Sequence, residues 1–336
     1  MVNSKWRIGV DVGGTFTDVA IVNEEDGTMG VAKVSSTPED FGVGVLKAIE
    51  QAQKKYNISP KNVSLLAHAT TVVTNAILEE KGAKVGLIST LGFRDILELR
   101  RSARADLYDL FQDPPSVLVQ RRNRFEITER IDAEGQVVIP IIEDEIEQII
   151  SKLKTARVEA VAVSLLFSFL NDEHEALIGR RLREALPNIP VFLSSEVLPE
   201  IREFERTSTT AICAYVGPIL SSYLARLKNS VTEKGLPTPY VMGSGGGLFE
   251  IEESLMMPAM AAESGPAAGV IAAALGGNQI NRANLLSFDM GGTTAKASLI
   301  KNGVIETTPE YEVGGEGSGS RWLHGTGHPI RAVSNT

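Results

Sequence analysis

The sequence predicts an α/β protein built in two related halves, with helices covering mixed sheets. Three observations carry this prediction. One short pattern occurs twice, at residues 8–20 and 286–298, each time as an apolar strand, then Asp-x-Gly-Gly-Thr, then a second apolar strand. The first copy leads into alternating strand and helix signals, the mark of β-α-β units. The run at 159–169 is almost unbroken in its apolar character, as suits a strand covered on both faces.

Taken in order, residues 6–12, 17–22 and 29–35 read as three successive strands, with Asp26-Gly27 turning the second into the third. In 41–56 the apolar residues Val43, Leu46, Ile49 and Ala52 recur at helical spacing. A short strand at 65–67 runs into a loop and helix over 68–77, and 84–89 is the next strand. The stretch 92–129 is rich in arginine and broken by Asp113-Pro114-Pro115, which predicts loop and short helix. Ile142, Ile146, Ile149 and Leu153 place one apolar face on a helix at 143–156. Asn171 is placed to cap a helix reaching about residue 186, and 189–194 is a strand. A long helix is expected over 207–232, interrupted at Gly217-Pro218. A strand at 239–242 enters the run Gly243 to Gly247, and an Ala/Gly-rich helix spans 259–275. The second hairpin follows, extended by the turn Lys301-Asn302-Gly303. Two domains are expected, 1–200 and 201–336, each holding one copy of the repeated pattern.

The repeated pattern has a chemical reading. Paired glycines let backbone approach a ligand closely, because no Cβ intervenes. Their amides and a neighbouring threonine hydroxyl are donors suited to phosphate oxygens. An aspartate at the strand end suits Mg²⁺, which keeps much of its water shell. Facing each other, two such hairpins would hold a nucleoside triphosphate from both sides. The expected ligands are therefore a nucleoside triphosphate and Mg²⁺. Asp11 and Asp289 are the expected metal contacts and, with Asp18, the candidate catalytic carboxylates. Gly13, Gly14, Thr15, Thr17, Gly245, Gly246, Gly291, Gly292, Thr293 and Thr294 are the candidate nucleotide-binding residues. Asp18 is open to two readings, a metal- or nucleophile-orienting group or an exposed strand carboxylate. The segments 243–247 and 265–269 read equally well as nucleotide contacts or as interdomain linkers.

Composition narrows the field. The 336 residues carry a formal net charge of −9, with 43% hydrophobic and 22% charged residues. That balance is ordinary for a globular protein and opposes nucleic-acid binding, which uses a basic surface. The single cysteine, Cys213, can form neither an internal disulfide nor a Cys-rich zinc site. Residues 1–6 do not resemble a signal peptide, and no apolar run reaches about 18 residues, so a cytoplasmic protein away from membranes is expected. Of the histidines, His68 reads as a hydrogen-bonding residue and His174 as a surface one. His324 and His328 lack a carboxylate or cysteine to complete a metal set. Arg94, Arg100, Arg101 and Arg104 suit either an anionic substrate or a solvated face partnered by Asp95 and Glu98.

The duplicated unit resembles the actin/hexokinase/Hsp70 superfamily, in which ATP lies between two related ribonuclease H-like domains. More narrowly, the chain is similar to the hydantoinase A/5-oxoprolinase family. The likeness rests on Gly9 to Asp18, His68 to Ala76, Gly92-Phe93-Arg94-Asp95, Asp106 to Leu110, Ser264 to Gly269, Phe288 to Thr293 and His324 to Gly327, in that order. The resemblance implies ATP-dependent opening of a cyclic amide with Mg²⁺, beside a hydantoinase B-type subunit in an oligomer. Two features depart from the family. Lys296 stands where the second hairpin usually carries aspartate, a charge reversal worth several kcal/mol at intermediate dielectric if the side chain faces inward. Family chains also continue further, so a shortened or split member with an incomplete second domain is expected. Alternatives are an ATP-binding ketone carboxylase subunit, a sugar kinase, and a non-catalytic nucleotide-binding assembly subunit.

Overall fold

Alternation sets the first sheet. In β1 (Trp6–Val12) the residues Ile8, Val10 and Val12 are buried, and Asp11 occupies the other face. This computed structural model describes residues 5–101, 111, 116–291, 295–313, 328–332 and 334. The motif 106–110, Arg104, Gly292, Thr293, Thr294 and His324 lie outside the described residues.

β2 (Phe16–Asn23) and β3 (Met29–Ser35) continue β1 as an antiparallel meander. Gly27 makes the second turn at φ 72, where a side chain would be strained. α1 (Phe41–Tyr56) starts where the Gly42 amide donates to Asp40 Oδ1 at 3.0 Å. Its ring Tyr56 lies so close to β3 that a Cβ on Gly30 would sit 2.3 Å away. β4 (Val63–Thr70) returns parallel to β1, α2 (Val72–Leu78) follows, and β5 (Val85–Thr90) opens a second sheet. After the short α3 (Ile96–Leu99), β6 (Arg124–Ile127) joins β5 in parallel. This strand lies in the stretch expected as loop and short helix, where arginines hide its two buried ends. β7 (Arg130–Ile131) and β8 (Val137–Ile139) form a small hairpin.

α4 (Glu143–Ala156), β9 (Ala160–Ser164), α5 (Glu173–Ala185) and β10 (Val191–Leu193) complete a parallel sheet of order β10-β9-β5-β6. Its core on the α4 and α5 side holds Ile88, Ile127, Ile149, Leu153, Ile178 and Leu182. His174 on α5 is buried, correcting its expected surface position, because Nδ1 meets Glu129 Oε2 at 2.7 Å. After α6 (Ser194–Val197), α7 (Glu203–Glu233) runs for 31 residues without a break. Pro218 lies inside it and does not interrupt it, contrary to expectation. Buried packing along α7, from Ile212 to Leu227, holds the helix through the missing hydrogen bond.

β11 (Tyr240–Met242) adds to β4 in parallel, and β12 (Leu248–Phe249) closes the edge. The first sheet thus reads β12-β11-β4-β1-β2-β3 and takes strands from both sides of residue 200. α8 (Ile251–Met256) precedes a 3₁₀ turn at Pro258–Ala261, and only then α9 (Ser264–Gln279) begins. The helix expected from residue 259 is split here because Glu263 adopts φ 60. β13 (Leu285–Met290), β14 (Ala295–Lys301) and β15 (Val304–Ile305) form an antiparallel sheet that packs Leu285, Ile300 and Ile305 against α9. Its opposite face leaves Leu286, Phe288, Met290 and Leu299 exposed. β16 (Tyr311–Val313) pairs with β17 (His328–Ile330), which lies along α7.

Candidate functional site

Parallel pairing decides where the site is. β1, β4 and β11 run side by side in one direction, so their carboxyl ends share one edge. Such an edge is where α/β sheets bind ligands. It gathers Asp11 with the turn after it, Thr70 and Thr71 after β4, and the loop 243–247 after β11.

In the first hairpin, register pairs Asp11 with Asp18 across the strands. Two carboxylates then share a face, an unfavourable arrangement unless charge is supplied. Lys33 supplies it to Asp18, donating to Oδ1 at 2.7 Å and Oδ2 at 2.8 Å, with its ammonium 4.9 Å from the Phe16 ring. Asp11 receives no such partner. Its Oδ1 is buried and without a hydrogen bond among the described residues. Burial pushes its pKa up to about 6, and the charges of Asp18 and then Asp289 add to the rise. That last influence brings the two hairpins together: Asp289 lies within electrostatic reach of Asp11.

The tip of the first hairpin is built for access. The Gly13 amide closes the turn onto the Phe16 carbonyl at 3.0 Å, while Gly14 and Thr15 are exposed. A Cβ built on Gly14 would meet nothing within 4 Å, so an incoming group has room there. Thr17 corrects its expected role as a phosphate donor. It is fully buried and its hydroxyl is spent on Ser36 Oγ at 3.0 Å, which in turn donates to the Gly13 carbonyl at 2.7 Å. It supports the turn from beneath. Gly245 is exposed at the same edge, and Gly246 turns the loop at φ 82 with its amide bonded to the Gly243 carbonyl.

The start of α9 closes over this edge. Ser264 Oγ accepts from the Thr70 amide at 3.0 Å and donates to the Thr70 carbonyl at 3.1 Å. Gly265 lies so close to Asp11 that an added Cβ would stand 2.7 Å from Oδ1. Sequence reading left this glycine undecided between nucleotide contact and linker; in the fold it packs against Asp11. Glu263, unnoticed in the sequence, sits at the helix start and meets the Lys296 ammonium. Lys296 pairs with Asp289 across the second hairpin, on the face that packs against α9. Burial draws its pKa down to about 8. Gly291 is exposed after β13, and Gly292, Thr293 and Thr294 fall outside the described residues.

The donor set fits a hydrated Mg²⁺ with a triphosphate better than a protein cage. No group of three or more His, Cys, Asp or Glu side chains gathers as a metal site among the described residues. An unpartnered buried carboxylate oxygen and an open glycine tip instead leave room for water and phosphate ligands. Elsewhere, His68 is buried with Nε2 2.8 Å from Tyr223 Oη, and desolvation lowers its pKa to about 4. It joins β4 to α7. Arg94 and Arg101 are engaged by Glu126 and Glu205, and Asp95 is held by Arg121. Surface clefts of about 310 Å³ beside Tyr215 and 570 Å³ beside Arg94 contain neither Asp11 nor Asp289.

Known proteins share this fold. The sequence profile of the hydantoinase/oxoprolinase N-terminal region matches residues 7–186, and the hydantoinase/oxoprolinase profile matches residues 206–331. Caprolactamase subunit alpha of Pseudomonas jessenii is 34% identical over 90% of this chain and 44% of its own. The crystal structure of ATP-dependent caprolactamase from the same organism superposes with a TM-score of 0.83 at 32% identity, over 98% of this chain and 47% of the other. Nucleotide-free acetone carboxylase gives 0.81 at 26% identity, over 98% and 48%. The chain spans about half the length of the curated relatives it matches. The fold is the duplicated, actin-like α/β arrangement expected from the repeated hairpins.

Proposed function

The chain belongs to the hydantoinase/oxoprolinase family, and on that premise we propose that it is the ATP-using subunit of an enzyme opening cyclic amides. The observation that carries this reading is that the start of α9 meets both hairpins, Gly265 packing on Asp11 and Glu263 on Lys296, the cross-strand partner of Asp289. Gly14, Thr15, Gly245 and Gly291 give close backbone access for phosphates. Asp11 and Asp289 would hold hydrated Mg²⁺, and Asp18 stays paired with Lys33 at the rim. Bound Mg-ATP supplies a phosphoryl group that makes an amide carbonyl oxygen a leaving group for water. The task of the protein is positioning and charge balance, on which such transfer mainly depends. Asp11 holds its proton up to about pH 6 and gives it up as a cation arrives.

Likeness to a caprolactamase alpha subunit and to ATP-dependent caprolactamase supports a lactam- or hydantoin-like substrate and a further subunit; the proposal takes that subunit as hydantoinase B-type and the oligomer as cytoplasmic. Likeness to acetone carboxylase supports a second reading, a ketone carboxylase subunit. A sugar kinase of this size often carries a zinc motif that one cysteine cannot build. The test is ADP release by the chain with a B-type subunit. Stimulation by a lactam, hydantoin or 5-oxoproline is the predicted outcome. Stimulation only by a ketone with bicarbonate selects the carboxylase, and ATP binding without turnover selects the assembly subunit.

A further inference from the structure

The two hairpins are built alike but charged differently. In the first, Asp11 faces Asp18; in the second, Asp289 faces Lys296. Lys296 does not extend into solvent. Its face of β14 is shared with Ile300, which packs on α9, and its ammonium reaches the carboxylate of Glu263 at the start of α9, the helix whose Gly265 packs on Asp11. Glu263 is itself fixed, since its amide donates to Thr74 Oγ1 at 3.2 Å.

Charge at this edge calls for a cation. Asp11, Asp18, Asp289 and Glu263 are acidic, and Lys33 is committed to both oxygens of Asp18. A triphosphate entering here meets like charge unless a mobile cation accompanies it. Lys296 has a flexible four-carbon stem and, among the described residues, one ion-pair partner, Glu263.

We propose that Lys296 is a phosphate-binding side chain, paired with Glu263 and transferred to the nucleotide when it enters. The proposal rests on the ATP reading above and goes beyond it. It gives this chain a built-in charge that lessens the dependence of nucleotide binding on Mg²⁺. Glu263 acts as a positioning residue that competes with phosphate for the ammonium.

The experiment is calorimetric titration of ATP into the full chain, with EDTA or with MgCl₂. Wild type and Lys296→Arg are expected to bind ATP in EDTA. Lys296→Met should bind about tenfold or more weakly in EDTA, with a smaller loss in Mg²⁺, as one charge-assisted contact is removed. Glu263→Gln should bind more tightly than wild type, and that gain should disappear in a Lys296→Met background, which separates release of the ammonium from mere loss of a negative charge. The proposal is overturned if Lys296→Met and wild type bind equally in both buffers. It is also overturned if Glu263→Gln weakens binding as Lys296→Met does. A wild-type chain that binds no ATP in either buffer overturns the nucleotide reading as well, whereas equal variants overturn only the role of Lys296.

Discussion

Asp11 is the residue at which stability and function oppose each other. In the unfolded chain it ionises near pH 3.8; in the folded chain, near 6. Between those values the folded protein binds the extra proton, so stability falls as pH rises through the window. Above pH 6 the ionised, poorly solvated carboxylate is carried at a cost of about 2–3 kcal/mol. Asp11→Asn removes that cost. It should be more stable than wild type by about 2 kcal/mol at pH 8 and no more stable near pH 3.5. Denaturant unfolding at the two pH values measures this, and an Asn variant weaker than wild type at pH 8 would contradict it. Sequence could nominate Asp11, because strand, turn and repeat are local. It could not reveal that Lys33 gives its hydrogen bonds to Asp18 and none to Asp11, since that depends on β3 lying beside β2. Thr17 shows the same limit: the alternation that buries Val19 and Ile21 also buries its hydroxyl.

The elements explain what could be read and what could not. α1 and the meander were legible because capping, period and turn residues are contained in short windows. β6 was not, for its buried ends are Arg124 and Ile127 and the parallel partner β5 is far away in sequence. α7 hid its continuity behind Pro218, which tertiary packing overrides. The start of α9 was legible only in composition. Gly265 is small because a helix terminus must reach Asp11, and that need exists only after folding. Gly265→Ala should force helix and carboxylate apart, lowering ATP affinity at least tenfold and stability by about 1–3 kcal/mol. Calorimetry and thermal melts read both effects, and unchanged affinity would remove α9 from the site.

At the scale of the molecule, two hairpins 278 residues apart in numbering, counted from Asp11 to Asp289, both meet the start of α9, the first through Asp11 against Gly265 and the second through Lys296 on Glu263. Duplication made this legible, since a pattern repeated in both halves anticipates a shared ligand. The charge asymmetry between the halves was visible as Lys296, while its inward direction and its bond to Glu263 were not. The central claim is that both hairpins serve one nucleotide. Calorimetric ATP binding to wild type, Asp11→Asn, Asp289→Asn and the double variant tests it most directly. The account predicts one nucleotide per chain, at least tenfold loss in each single variant, and a double variant whose loss is not the sum of the two. Two independent sites, or an Asp289→Asn variant that binds as wild type does, would contradict it.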